Sequence, residues 1–290
     1  MKVLITGKDG QLGKSIYKVI PHSKKENEFI FVGRNELDLS DESNINNYFN
    51  SHNFDVIINC AAYTAVDRAE SEINLADKIN HIAVKQLAVI ANNQGVKLIH
   101  ISTDFIFDGK SDKPYIESDN TNPVNNYGKT KLAGESELIK IMPNNAIIIR
   151  TGWVYSEFGN NFVDTMLRLG ISRDNLKVIN DQIGSPTYAS DLAIAIVYII
   201  YSGKFLIDTF PTQIYHYTNL GQCSWYEFAK AIFSCSDISC NVSPIPTEEY
   251  PLPAKRPKYS VLNKDKIVKT FNLSIPKWEE SLKQCIKLKK

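Results

Sequence analysis

The chain has 290 residues, 43% hydrophobic and 22% charged, enough to bury one large core or two unequal ones; disordered, collagen-like and coiled-coil classes are excluded. Thirty-three basic residues against thirty-two acidic leave a net charge of +1, so neither nucleic acid nor an anionic membrane is expected as a partner. The longest apolar run, Leu192 to Tyr201, is about half of the roughly 20 residues that cross a bilayer, and MKVLITGKDG lacks the apolar stretch of a secretion signal, so a cytoplasmic location is expected.

From Lys2 to about Tyr201, short β-branched runs (VLIT, FIFV, DVIIN, VKLIHIS, AIIIR, LKVIN) alternate with segments of helical period such as Ile73 to Asn93 and Ser190 to Tyr201. That rhythm predicts an α/β fold with a doubly wound parallel sheet. It breaks after about Ile207, where a smaller C-terminal substrate-binding lobe is expected. Five prolines between Pro244 and Pro257 predict an extended loop there rather than sheet or helix. The expected division is 1–155 for the sheet domain, rejoined by 175–205, and 156–290 mainly for the lobe. The five cysteines contain no C-x-x-C and the five histidines no ligand spacing, so neither a disulfide framework nor a metal is expected.

VLIT passes into Gly7-Lys8-Asp9-Gly10-Gln11-Leu12-Gly13 and then a helix, with glycines at i, i+3 and i+6. Backbone N–H groups of such a loop can approach a pyrophosphate at a helix N-terminus. The spacing alone also fits a plain glycine-rich turn; its position in the first strand-to-helix joint favours dinucleotide binding. At the end of FIFV, where an NAD enzyme usually carries Asp or Glu, stands Gly33-Arg34, and an arginine suits the 2′-phosphate of NADPH. Arg34 equally fits a surface position, and Asp38 could approach the adenosine. NADPH with NADH tolerated is the expected cofactor.

VKLIHIS ends in Ser102-Thr103-Asp104, which places Thr103 at the carboxyl edge of the sheet, where open α/β folds bind ligands. Tyr127 and Lys131 stand at i and i+4, on one face of a helix. A neighbouring ammonium favours the phenolate, so Lys131 is expected to lower the proton affinity of Tyr127 from its usual pKa near ~10 and make it a usable acid and base. By itself Y-x-x-x-K also describes an ordinary exposed helix.

Taken together, the glycine loop, Thr103 and the Tyr127/Lys131 pair resemble the short-chain dehydrogenase/reductase superfamily, in its extended, nucleotide-sugar branch. NCAAYTAVD (59–67), STDFIFDG (102–109), YGKTKLAGE (127–135), RTGWVY (150–155) and DQIGSPT (181–187) resemble, in order, signatures of the dTDP-4-dehydrorhamnose reductase family, with a weaker echo at Arg256-Pro257. Phe105, where a tyrosine is common, and Asn125-Asn126 ahead of Tyr127 depart from the pattern.

The resemblance implies a Rossmann domain in which Gly7, Gly10, Gln11, Leu12 and Gly13 form the pyrophosphate loop and Asp38 and Leu39 flank the adenine. It implies that Ala61, Ala62 and Tyr63 pack beside the cofactor, that Tyr127 and Lys131 serve both cofactor and catalysis, and that Thr103, Asp104 and Trp153 face the sugar. Trp153 also fits a core aromatic, Asp104 a turn cap, and Arg256 either a contact to the sugar diphosphate or a solvated charge. The implied reaction is reduction by NAD(P)H of the C4 ketone of dTDP-4-dehydro-6-deoxy-L-mannose to dTDP-L-rhamnose, with a homodimer left open. Two alternatives remain: a reductase or epimerase of another nucleotide-linked 4-keto-6-deoxysugar, which net consumption of NAD(P)H separates in part, and a non-catalytic NADP-binding regulatory subunit, which turnover excludes.

Overall fold

The computed structural model describes residues 1–20 and 27–289. Strand β1 (Lys2–Thr6) leads through the glycine loop into α1 (Gln11–Val19), followed by β2 (Glu28–Val32), α2 (Glu42–Ser51) and β3 (Val56–Asn59). Helices α3 (Ile73–Asp77) and α4 (Ala83–Gln94) are joined by a π-helical turn at Lys78–Ile82; β4 (Lys97–Thr103), α5 (Asn126–Ile141) and β5 (Ala146–Thr151) come next. The short β6 (Val154–Tyr155) precedes α6 (Phe162–Ser172), β7 (Asn175–Ile179), the two-residue strands β8 (Ile183–Gly184) and β9 (Thr187–Tyr188), and α7 (Ala189–Tyr201). The chain ends in β10 (Gln213–His216), β11 (Cys223–Ser224), α8 (Trp225–Ser236), β12 (Asn241–Ile245), α9 (Asp265–Phe271) and α10 (Trp278–Lys289).

Six strands form one sheet in the order β10-β5-β4-β3-β1-β2, every pairing parallel. Because successive side chains of a strand point to opposite faces, Val3 and Ile5 of β1 join α1, α7 and α9 on one side, while Leu4 joins α2, α4 and α5 on the other. The sheet is doubly wound, as expected. From β1 the chain steps outward to β2 and then returns to the far side of β1 as β3, so the carboxyl ends of β1 and β3 flank a crevice at the switch point. A separate core of α6, α8 and α10 packs around β7, Tyr155 and Trp278.

Two expectations need correction. LKVIN is a strand, β7, but it pairs with β12 outside the main sheet, and the sixth strand of that sheet is β10, whose sequence QIYH carries too little apolar signal to stand out. Pro244 lies inside β12, where a loop was expected; β12 is the edge of a two-stranded pair, so the missing N–H costs no ladder bond on its open side.

Candidate active site

A cleft of about 820 Å³ runs along the carboxyl ends of β1, β3, β4 and β5. At its cofactor-like end Gly7 has a φ of +73°, and a Cβ there would sit 2.9 Å from Ala61 N; a Cβ on Gly13 would sit 2.3 Å from Gly7 O. Glycine therefore lets the first turn of α1 press against the loop and lets β1 meet the β3 exit. The N-terminus of α1 has no side-chain cap and no acidic residue in its first turn. Gln11 leaves it free: its Oε1 accepts from Ser156 Oγ (2.9 Å) and Asn161 Nδ2 (3.1 Å), tying its side chain to the 156–161 loop. An open helix N-terminus in a glycine cradle fits a pyrophosphate.

Arg34 is exposed at the rim of this end, with Asp38 and Leu39 beside it. Asp38 Oδ1 accepts from the Ser40 N–H and hydroxyl, and these bonds, aided by the Arg34 charge, hold its carboxyl below the usual range against the opposing effect of burial. Ala61 and Ala62 line the cleft. Tyr63 is set behind them: its ring joins the core under α4, its hydroxyl donates to Glu72 at 2.7 Å, and its backbone is clamped by the Oδ1 and Nδ2 atoms of Asn80 in the π turn. That clamp shapes the 61–64 loop, and nothing in the helical periodicity of residues 73–93 pointed to Asn80.

Thr103, Tyr127 and Lys131 converge in the middle of the cleft. Asn125 caps α5 by accepting from Gly128 N (2.8 Å) and donates to Lys255 O (2.8 Å), so one of the two departures from the family pattern orients the helix carrying Tyr127. A Cβ on Gly128 would lie 2.2 Å from Phe105 O, and this close approach sets the first turn of α5 against the end of β4. The Phe105 ring meets the Tyr127 ring edge-on at 5.8 Å.

The expected electrostatics of this group is corrected in one respect. Burial pushes Tyr127 up to about 12, with the Asp104 charge adding to it and the Thr103 bond opposing it. Lys131 Nζ instead turns to β4, donating to Ile101 O at 2.6 Å and lying 3.3 Å from His100 Nε2. Burial lowers Lys131 to about 8. Tyr127 is thus fully protonated at neutral pH, the state a general acid needs before it acts. Burial also raises Asp104 to about 6; its Oδ1 accepts from Thr103, and Oδ2 is buried without a hydrogen-bond partner among the described residues.

The other wall is aromatic. Trp153, with a φ of +52°, lies 3.5 Å from Trp225 in a parallel stack, and its indole leaves no room for a side chain at Gly184. Both tryptophans line the cleft while packing against the core of α6, α8 and α10. Trp225 went unnoticed in the sequence, since CSWYEF carries no spacing that ties it to RTGWVY. Arg256 also lines the cleft, and it is not a solvated charge: Nη1 and Nη2 donate to Asp67 Oδ1 (2.9 Å) and Oδ2 (2.7 Å). Among the described residues no group of three His, Cys, Asp or Glu side chains is placed to hold a metal ion, and no helix is long and apolar enough to cross a membrane.

The profile of the family described as "RmlD substrate binding domain" matches residues 1–290. The dTDP-4-dehydrorhamnose reductase of Sinorhizobium fredii is 39% identical over 290 residues, covering 99% of this chain and 97% of that protein. Among solved structures, the dTDP-4-dehydrorhamnose reductase of Clostridium acetobutylicum superposes with a TM-score of 0.92 at 43% identity, covering 99% of each chain. That of Bacillus anthracis, in complex with NADP, gives 0.91 at 40%, again covering 99% of each. The chain belongs to the dTDP-4-dehydrorhamnose reductase family.

Proposed function

We propose that this protein uses NADPH to reduce the C4 ketone of dTDP-4-dehydro-6-deoxy-L-mannose, giving dTDP-L-rhamnose. The observation that carries this reading is the meeting of Thr103, Tyr127 and Lys131 in a cleft that opens on one side to an uncapped helix N-terminus and on the other to a tryptophan wall. Kinship with reductases of this activity, one of them crystallised with NADP, supports it over its whole length. Both reactants are nucleotide metabolites, and the reading accordingly places the enzyme in the cytoplasm.

The bound nicotinamide supplies the hydride. The first turn of α1 and the glycine loop would hold the pyrophosphate, Asp38 and Leu39 would flank the adenine, and Arg34 would offer the 2′-phosphate charge-assisted hydrogen bonds. Ala61 and Ala62 keep the wall low enough for close packing. As negative charge develops on the ketone oxygen, Tyr127 gives it the phenolic proton and the Thr103 hydroxyl donates a hydrogen bond. The Lys131 ammonium stabilises the phenolate left behind and anchors the nicotinamide ribose. Asp104 faces the sugar site beside Thr103, Trp153 forms its wall, and the C-terminal lobe holds the thymidine diphosphate. Arg256 reaches that diphosphate by exchanging Asp67 for phosphate oxygens.

Oxidation of NADPH, followed at 340 nm with a panel of nucleotide 4-ketosugars differing in base and in sugar, is the direct test. Turnover restricted to the dTDP-linked 4-keto-6-deoxymannose confirms the reading. Preference for another ketosugar reassigns the substrate, and binding of NADPH without oxidation reassigns the protein as a regulatory subunit.

A further inference from the structure

Gln11 stands where the proposed cofactor site meets the proposed sugar site. It is the first residue of α1, so its backbone belongs to the open turn, while its side chain leaves that turn and crosses to the chain that follows Trp153. Oε1 accepts from Asn161 Nδ2 (3.1 Å) and Ser156 Oγ (2.9 Å), and Nε2 donates to Val154 O (3.3 Å). Backbone groups at both ends set the direction of these bonds. Asn161 Oδ1 accepts from Asp164 N, which leaves Nδ2 to face Gln11; the Gln11 atom it meets must accept, and the other end of the amide then meets a carbonyl.

The stretch that this amide holds, 154–161, matters to the cleft at both ends. Val154 follows Trp153, whose carbonyl accepts from Thr187 N of β9 (3.1 Å), and Gly159, Asn160 and Asn161 line the cleft themselves. Further along α1, Lys18 pairs with Glu157 (2.6 Å), whose other carboxylate oxygen accepts from the Tyr188 hydroxyl (2.9 Å). Residues 154–161 are therefore gripped from both ends of α1. Only the Gln11 grip shares a residue with the glycine cradle.

We propose that Gln11 is a positioning residue for the sugar wall: through its side-chain amide the cofactor loop holds residues 154–161, so that filling the cradle steadies Trp153 and its neighbours before the sugar arrives. A pyrophosphate on the first turn of α1 fixes the backbone of residue 11, and a fixed backbone removes freedom from the side chain that it carries. Part of the ordering of 154–161 is then already done, and the sugar nucleotide meets a wall in place. Coupling between two sites is reciprocal, so the sugar nucleotide must tighten the cofactor by the same factor.

This inference rests on the proposed placing of cofactor and sugar, and its first test needs neither turnover nor a sugar. Hydrogen exchange read by mass spectrometry on the full chain should show that NADPH slows exchange over both 7–13 and 154–161. Gln11→Ala keeps every backbone N–H of the loop, so NADPH should still protect 7–13, while its protection of 154–161 should fall by about half or more. Equal protection of 154–161 in both proteins overturns the proposal, because the cofactor then reaches that stretch without the amide. Lys18→Met separates coupling from plain stability: it loosens the same stretch away from the cradle, so the melting temperature should drop and the response to NADPH remain. Loss of the response there as well makes Gln11 one support among several and overturns the proposal. Should Gln11→Ala fail to fold, Ser156→Ala removes one of the two donors to Oε1, and the protection of 154–161 should fall in the same way; unchanged protection counts against the amide. Calorimetry with NADPH and dTDP-L-rhamnose, which do not react with each other, reads the coupling itself: each should tighten the other by about fivefold or more in the wild type, and by a factor of about one in Gln11→Ala. If dTDP-L-rhamnose fails to bind the wild type, it is the substrate reading that falls, while the exchange measurement still decides the role of Gln11.

Discussion

The two walls of the cleft are built from different materials. The side we assign to the cofactor is backbone and buried polar atoms fixed at the ends of central strands: the open turn of α1, the 61–64 loop clamped by Asn80, and Lys131 held between Ile101 O and His100. The side we assign to the sugar is side chains on short strands and loops: Trp153 stacked on Trp225, and Arg256 paired with Asp67. Backbone geometry admits few substitutions, whereas stacked rings and surface ion pairs can be exchanged one residue at a time. The first wall therefore fixes the chemistry, and the second is where a change of sugar can be accommodated.

Substitutions can break that contrast, beginning where the effect is greatest. Lys131→Met removes both the anchor to the ribose and the charge beside the phenolate; kcat should fall by the upper part of the 10²–10⁴ range typical of acid–base groups, or about that much, and NADPH binding should weaken measurably in titration. Tyr127→Phe keeps the ring that packs on Phe105 but not the proton, so turnover should fall on the order of 10²–10⁴ while NADPH affinity stays within about threefold. Near-normal kcat there would remove Tyr127 from the mechanism.

On the sugar side, Trp153→Ala should raise KM for the nucleotide sugar by roughly tenfold or more and leave KM for NADPH nearly unchanged, as steady-state kinetics with each reactant varied will show. Equal effects on both would mean that the two walls are not separable. The smallest change is expected from Arg34→Ala, since the residue is exposed. It should weaken NADPH by about tenfold or less and spare NADH, read by parallel titration; equal losses for both would make Arg34 a surface residue.

What the sequence disclosed follows the same division. The strands of the sheet announced themselves by β-branched runs, and the glycine loop, Thr103 and the Tyr127/Lys131 spacing are local patterns that survive in one dimension. QIYH gave no such signal because it holds a single aliphatic residue, although Tyr215 and His216 are buried. Trp225 and the Asp67–Arg256 pair were silent because each depends on a partner far along the chain. The error about Tyr127 has a physical cause as well: spacing shows that a lysine is near, but only the fold shows that its nitrogen turns to a carbonyl and that burial outweighs its charge. Gln11 was visible as part of the glycine loop, yet its bonds to Ser156 and Asn161 are a property of the fold.

The place of β10 has a consequence for how the protein comes into being. This strand completes the sheet beside β5, and Ile267 and Phe271 of α9 close the core over it, packing with Tyr215. A ribosome reading from the amino end therefore releases the residues we assign to the cofactor, up to Lys131, well before it releases those that finish the sheet beneath them. The nascent chain carries a sheet with β5 as a bare, apolar edge until residues 213–216 have emerged, and that interval is when it is most exposed to pairing with a neighbour and most in need of a chaperone.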